Sequence, residues 1–302
     1  MRAILVFNPH ATTTDDHVRD VIASALASAI DVEVHPTKQR GHATHLVAGA
    51  VHDGVDAVFA LGGDGTANEV IQALAGTGVR LGIIPGGGAN VLARALGLPN
   101  DAIEATSQLL RAVRSDRTRT IGLGRAAGRY FGFNAGFGFD AAVVRHVEQH
   151  ARMKRTFRQA AFVWSVAREW AAGSGRDGPP ISVTLDDGRE LDPVAITIIA
   201  NASPYTYLGE RAMRLHPRAS FDTGLDLLTV GDIGTAELVQ VALRSFRKAD
   251  HTELEGVGYL HDLAGFTLRC PQPLPLMVDG DYAGEHREVR FTAAPQALRV
   301  LL

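Results

Sequence analysis

The order of apolar runs in roughly the first 120 residues limits the fold more than any other feature. Ala3–Phe7, Val32–Val34, Asp56–Ala60 and Leu81–Ile84 read as short strands, and the stretches between them carry helical spacing, as in Val18, Val21, Ile22, Ala25 and Leu26. Parallel neighbours in a sheet need a crossover long enough for a helix, and such crossovers are right-handed, so the alternation predicts a doubly wound α/β domain. Ligands of such sheets lie beyond the carboxyl ends of the strands. The loops after Phe7, Ala60 and Ile84 are therefore where chemistry is expected.

Further along, the texture changes. Strands are expected at Tyr130–Asn134, Ile181–Leu185, Val194–Ala200, Leu225–Val230, Phe266–Arg269 and Val289–Thr292, with glycine and proline between them. A long helix is expected from Ala141 to Trp170, a shorter one from Thr235 to Arg247, and an exposed loop over Gly173–Pro180. A chain of 302 residues has room for two domains. The boundaries expected are 1–125 for the α/β domain and 126–302 for a β-rich one, with the last strand able to return to the first domain.

Composition removes several classes of function. A net charge of −3 lacks the broad basic footprint of a nucleic-acid binder. The single cysteine, Cys270, excludes an intrachain disulfide and, with an N-terminal apolar run too short for a signal-peptide core, points to the cytoplasm. Apolar stretches such as Pro193–Ala200 fall far short of the roughly 18 residues of a membrane span, so any membrane contact is expected to be peripheral, on the inner face. His42 and His45 stand three residues apart without a third ligand, which argues against zinc. Neither a Gly-x-Ser-x-Gly elbow nor a thiolate cluster offers a hydrolase nucleophile.

The sharpest local signal is Gly62-Gly63-Asp64-Gly65-Thr66-Ala67-Asn68-Glu69, directly after the third strand and before a helix expected over Asn68–Ala75. Glycines let the backbone approach a ligand with no Cβ in the way, and a helix N-terminus offers N–H groups and the positive end of its dipole to an anion. Asp64 is the anomaly. A carboxylate beside phosphates is repulsive unless it holds a metal or takes a proton, although a turn in which Asp64 caps the helix would use the same letters. Pro85-Gly86-Gly87-Gly88-Ala89-Asn90 follows the next strand and precedes a helix expected over Val91–Leu96. Two glycine turns at neighbouring strand ends point to a phosphate cradle. It is not a P-loop: Gly-x-x-x-x-Gly-Lys is absent, and the only lysines are Lys38, Lys154 and Lys248. Arginine, backbone N–H groups and a divalent metal are left to neutralise the phosphates.

These residues resemble the diacylglycerol kinase catalytic-domain family, which includes bacterial soluble lipid kinases, sphingosine kinases and ceramide kinases. Asn8-Pro9 is similar to its nucleotide-loop motif, Gly62 to Glu69 to its Gly-Gly-Asp-Gly-Thr block, and Pro85 to Arg94 to its second glycine block. Asn134-Ala-Gly-Phe-Gly-Phe-Asp140-Ala141, Asn201 with Gly209, Asp222-Thr-Gly224 and Val278-Asp279-Gly280-Asp281 follow in the family's order. The resemblance implies a nucleotide-binding domain like those of NAD kinases and phosphofructokinases, a C-terminal β-sandwich, and ATP in a cleft between them. It further implies phosphoryl transfer, with Mg2+, to a lipid hydroxyl at a membrane surface, diacylglycerol giving phosphatidic acid first among the acceptors. A homodimer is left open. The chain departs from the family pattern in three places: Ala89 and Val91 replace a threonine and an acid in the second glycine block, Thr223 replaces an acid beside Asp222, and Asp281 stands where the family has glutamate.

Phosphoryl transfer needs positioning, charge neutralisation and a base for the acceptor hydroxyl. Asn8, Thr37, Gly62, Gly63, Asp64, Gly65, Thr66, Asn68, Glu69, Gly86, Gly87, Gly88 and Asn90 are expected to cradle ATP, Asp64 and Asp222 to meet Mg2+, and Asp281 or Asp279 to take the hydroxyl proton, with Asp64 as the third catalytic candidate. If their segment is extended, Asp279 and Asp281 share a face; an ordinary turn would explain the same three residues. Arg152, Lys154, Arg155 and Arg158 beside Phe157, Phe162 and Trp164 suit an anionic lipid surface, or simply a solvated helix face. The run Arg111, Arg114, Arg117 and Arg119 reads as solvated. An NAD kinase shares the Gly-Gly-Asp-Gly block but not the Pro85–Arg94 block or the late Asp279-Gly-Asp281. A nucleotide- or lipid-binding protein without turnover is the other alternative, motivated by Val91 and Thr223.

Overall fold

The computed structural model describes residues 1–9, 16–138, 180–231, 235–247 and 250–302. The chain divides into two units, Met1–Leu123 with Pro295–Leu302, and Gly124–Ala294.

In the first unit β1 (Arg2–Phe7), β2 (Asp31–Pro36), β3 (Ala57–Gly62) and β4 (Arg80–Pro85) form a parallel sheet in the order β2-β1-β3-β4. Their crossovers carry α1 (Asp16–Ala27), α2 (His42–His52) and α3 (Asp64–Leu74); α4 (Val91–Ala95) and α5 (Ala102–Arg114) follow β4. Every residue of β3 is buried, which explains why it reads as an unbroken apolar run rather than an alternating one. Asp101 starts α5 by accepting from the N–H groups of Ile103 and Glu104, both at 2.9 Å, and Arg111 and Arg114 end it, each charge complementing the helix dipole. The chain's last strand, which begins at Asp281, ends in this unit, with Arg299 and Val300 parallel to Arg80 and Leu81.

β5 (Thr118–Ala126) leads into the second unit, which contains β6 (Arg129–Phe131), β7 (Asn134–Gly138), β8 (Ile181–Leu185), β9 (Glu190–Val194), β10 (Ile196–Ala200), β11 (Thr206–Leu208), β12 (Arg211–Met213), β13 (Leu225–Val230), α6 (Thr235–Ser245), β14 (Val257–Leu263), β15 (Gly265–Val278) and the start of β16 (Asp281–Leu301). The strand pairs within this unit are antiparallel, in the order β14-β13-β10-β7-β15-β16, with the β8–β9 hairpin on β15. Its core is built around Phe131, Phe137, Leu225, Leu227, Phe266, Leu276 and Phe291, and the rings of Phe266 and Phe291 stack at 5.2 Å.

Several expected boundaries move, each for a local reason. The strand expected over Tyr130–Asn134 is two strands, broken at Gly132 and Phe133, where the Asp279 carboxylate takes the backbone N–H groups. Val194–Ala200 divides at Ala195, because β9 pairs with β8 while β10 pairs with β7 and β13. Phe266–Arg269 and Val289–Thr292 are parts of two much longer strands. Arg111, Arg114 and Arg117 of the arginine run are exposed, as expected, and Arg119 is half-buried; the exposed Arg117 guanidinium also donates to the Leu302 carbonyl. The Ala141–Trp170 helix, the loop over 173–179, the basic segment Arg152–Arg158 with its aromatic neighbours, and Phe139 to Ala141 of the Asn134 motif lie outside the described residues.

Candidate active site

Register brings the expected nucleotide residues to one edge of the parallel sheet. Phe7 stands opposite Pro36 and Leu61, and Gly62 opposite Pro85, so Asn8, Thr37, Gly63 and Gly86 all begin loops at the carboxyl ends of adjacent strands. Backbone bonds tie these loop starts together: Asn8 N–H to Leu61 O at 3.2 Å, Thr37 N–H to Phe7 O at 2.8 Å and Gly86 N–H to Gly62 O at 2.8 Å.

The two glycine turns are in mutual contact. A Cβ on Gly87 would lie 2.6 Å from Gly63 Cα and 2.8 Å from Asn90 Oδ1, and one on Gly62 would lie 2.5 Å from Thr66 Oγ1. Glycine is therefore required by the packing of loop on loop, before any ligand is considered. Asn90, buried and left-handed at φ 46, fixes the second turn: its Oδ1 accepts from Gly87 N–H at 2.9 Å, and its amide donates to Gly87 O at 2.9 Å and Asn100 Oδ1 at 2.8 Å. Gly88 lies exposed beside it.

The acids and amides of the first block serve the scaffold. α3 begins at Asp64, four residues before the expected start, so Asp64, Gly65 and Thr66 form its first turn. The residue before it, Gly63, has no side chain with which to cap that N-terminus. Asp64 instead reaches α4, accepting the Leu92 N–H at 3.1 Å. Glu69 caps α2 with both oxygens, taking Gly41 N–H at 2.7 Å and Ala43 N–H at 3.0 Å. Asn68 is buried and accepts from Gln72 at 3.1 Å. Glu69 and Asn90 thus hold the loops in place, while Asn68 is bonded within α3.

In the second unit, the premise that Asp279 and Asp281 lie on one extended segment fails. Val278 pairs with Asp281 across a two-residue hairpin turn whose central residues, Asp279 at φ 48 and Gly280 at φ 80, are both left-handed, as a type I′ turn requires. Asp279 is buried and accepts from Gly132 N–H at 2.6 Å, Phe133 N–H at 2.9 Å and Asn134 N–H at 3.1 Å, while its own N–H donates to Asn134 O at 2.8 Å. Such a carboxylate is a clamp. Asp281, one residue past the turn and half-buried, is differently placed. Asn134 and Asn201 brace the same corner, donating to Tyr205 O and Gly132 O, both at 2.8 Å.

Asp222 is exposed on the loop before β13. Behind that loop lies a polar group that the motifs did not reveal. Asp226, fully buried in β13, accepts from the Tyr259 hydroxyl, from His261 Nδ1 at 2.7 Å and from Asp262 N–H at 3.2 Å. Buried His216 and His251 bond through Nε2 to Ile198 O and Leu215 O, both at 2.9 Å. Burial pushes His216 down to about 4, against the pull of its Ile198 bond and Asp226, with His251 adding to the fall; burial lowers His251 as well. Burial and the bond to Asp226 raise Tyr259, which stays a phenol. One signal was available in the sequence: Asp226 is a lone carboxylate inside the apolar run Leu225–Val230.

Among the described residues no helix is long and apolar enough to cross a membrane, and no three His, Cys, Asp or Glu side chains converge as a metal site. Residues 2–126 match the model of the diacylglycerol kinase catalytic domain. A diacylglycerol kinase of Mycobacterium tuberculosis (strain ATCC 25618 / H37Rv) is 30% identical over 269 residues, covering 86% of this chain and 81% of the relative. The crystal structure of a diacylglycerol kinase from Bacillus anthracis str. Sterne superposes with a TM-score of 0.72 at 19% identity, over 99% of this chain and 96% of that one. An Archaeoglobus fulgidus NAD kinase solved in complex with ATP shares the fold more distantly, with a TM-score of 0.53 at 14% identity, over 100% and 94% of the two chains. By its relative of 30% identity and its catalytic-domain match, the chain belongs to the diacylglycerol kinase family of lipid kinases.

Proposed function

We propose that the chain transfers the γ-phosphoryl group of ATP, with Mg2+, to the hydroxyl of diacylglycerol, giving phosphatidic acid. The observation that carries the reading is the pair of interlocked glycine turns at the carboxyl edge of the parallel sheet, beside an α3 N-terminus preceded by a glycine rather than a capping side chain. N–H groups and the positive end of the helix dipole suit an anion there. ATP would be held by these turns together with Asn8 and Thr37, and Mg2+ would screen phosphate charge. Mg2+ commonly keeps several waters and takes only one or two carboxylates, so isolated acids such as Asp64 and Asp222 fit its chemistry.

The residues of the chain then divide the work. Glu69 and Asn90 hold the loops, Asp64 ties α3 to α4 with its charge beside the cradle, and Asp279 sets the turn from which Asp281 projects. Asp281 takes the proton of the acceptor hydroxyl. A shorter side chain than the family's glutamate asks the acceptor to come closer by about one methylene. The reaction occurs with the chain peripheral to the inner face of a membrane.

The test is transfer of radiolabel from γ-labelled ATP to a panel of diacylglycerol, sphingoid base, ceramide and phosphatidylglycerol, with NAD as the aqueous acceptor. Labelled phosphatidic acid is the expected product. Label on NAD would favour the NAD kinase alternative, and tight Mg-dependent ATP binding with no labelled product would favour a binding protein without turnover.

A further inference from the structure

α6 packs by one face. Val241 and Ser245 are buried, and Val241 joins Tyr205, Leu215 and Leu228 in a small apolar cluster of the second unit. On the opposite face Val239 and Leu243 are 50% and 54% exposed, which makes them the two most exposed large apolar side chains among the described residues. Four-residue spacing stacks them on one stripe, and the exposed Arg247 continues it just past the helix end. A single exposed leucine needs no explanation, whereas two aliphatic side chains on one stripe, rimmed by charge of one sign, mark a surface that meets something.

That charge gathers at the C-terminal end of the helix. The Arg214 N–H donates to Ser245 O at 2.8 Å, which sets Arg214 beside Arg244 and Arg247 in and after the last turn. Cations there complement the helix dipole. The carbonyls of that turn are nevertheless already taken: Ala242 O accepts the Ser245 hydroxyl at 2.7 Å, Arg244 O the Arg247 N–H at 3.0 Å, and Ser245 O the Arg214 N–H. Capping thus does not engage the guanidinium groups, and among the described residues none of the three forms an ion pair. Glu237 stands in the first turn, at the other end of the helix; Asp250 and Glu253, in the 3₁₀ turn that packs against α6, are not paired with these arginines either.

We propose that α6 docks on an anionic lipid surface, with Val239 and Leu243 entering the headgroup layer and Arg214, Arg244 and Arg247 meeting lipid phosphates. The inference rests on the reading that the chain works at a membrane. An amphipathic helix lying in the interface combines these two components, apolar burial and attraction to anionic lipid. A second copy of the chain fits the patch less well, since an isologous contact sets one patch against itself and would bring arginines of like charge together.

The experiment sediments the full chain with vesicles of phosphatidylcholine, with and without phosphatidylglycerol, and measures phosphorylation of diacylglycerol both embedded in those vesicles and dispersed as a short-chain form. One double variant carries Val239→Thr and Leu243→Gln, a second Arg244→Gln and Arg247→Gln, and a control carries Val21→Thr and Ile103→Gln, exposed apolar positions of the first unit. The apolar α6 variant is expected to bind anionic vesicles about tenfold more weakly. The arginine variant should lose roughly fivefold per charge, an effect that added salt removes. Phosphorylation of embedded diacylglycerol should fall in step, while that of the dispersed form and the control stay unchanged. Full vesicle affinity in both α6 variants would overturn the proposal, as would equal binding of the native chain to neutral and anionic vesicles. A dimer that Leu243→Gln dissociates in sedimentation equilibrium would also overturn it, by making a second copy the occupant. A chain that binds anionic vesicles through α6 yet phosphorylates no diacylglycerol would overturn the lipid kinase reading and leave the docking surface standing; one that phosphorylates the dispersed form but binds no vesicle would do the reverse.

Discussion

In the first unit Asp64 and Glu69 lie half-buried beside glycine turns and give their oxygens to the N–H groups of neighbouring helices; in the second, Asp226 and Asp279 are buried in or beside a sheet and collect three donors each. The first pair splints the ends of neighbouring helices from a half-buried position, so an amide of the same shape still accepts those N–H groups. The second pair consists of desolvated anions whose loss leaves several buried donors unanswered. Acids with matching motif letters can thus have different work. Of the late pair singled out in the sequence, only Asp281 combines partial exposure with a fixed position, which is why the base is assigned there.

The sharpest break between the two regions should come from Asp279→Ala. Hydrogen bonds to charged acceptors contribute about 1.5–3 kcal/mol each, so losing the acceptor of three N–H groups should lower the unfolding free energy by at least about 3 kcal/mol in urea denaturation. A loss below about 1 kcal/mol would mean that the clamp does not bear on stability.

A comparable effect is expected from acidification. His216, pushed down to about 4 chiefly by burial, takes up a proton in the unfolded chain near 6.5 but not in the folded one until far lower pH. Its folded pKa being depressed, stability is full above about pH 6.5 and falls as pH drops towards 4, by on the order of 3 kcal/mol, with His251 shifting in the same direction. Thermal melts at pH 7 and pH 5 check this, and His216→Gln should flatten the slope. A melting temperature that stays constant or rises on acidification would contradict the buried neutral imidazoles.

Gly87→Ala should cost the first unit about 1–3 kcal/mol even without nucleotide, because the new methyl meets Gly63 and Asn90. Weakened ATP binding with unchanged stability would instead show that this glycine serves the ligand alone. The smallest effect belongs to Glu69→Gln, expected to cost less than about 1 kcal/mol, since an amide oxygen still accepts at the α2 N-terminus. A loss as large as that of Asp279→Ala would erase the distinction between the two regions.

The parallel sheet was legible because β1, β3 and β4 are short apolar runs and the edge strand β2 alternates valine with polar residues, and the glycine turns because paired glycines directly after successive strands mark tight turns at one sheet edge. Roles of individual acids were not legible. Whether a carboxylate is a cap, a clamp or a base depends on which N–H groups the fold brings to it, and Asp279 meets Gly132 to Asn134 from nearly half a chain away. The breaks at Gly132 and Ala195 were hidden for the same reason, being set by a distant carboxylate and by an exchange of strand partners. Asp226 was visible as a charge in an apolar strand, but its donors Tyr259 and His261 come from another strand whose own polar residues mask its alternation.

The most direct measurement is lipid phosphorylation by Asp281→Asn, with ATP affinity and unfolding midpoint measured on the same preparation. A positioned general base contributes roughly 10²- to 10⁴-fold, so turnover should fall by that factor while nucleotide affinity and stability stay close to those of the native chain. Near-normal turnover in Asp281→Asn would contradict the assignment of the base to the second unit.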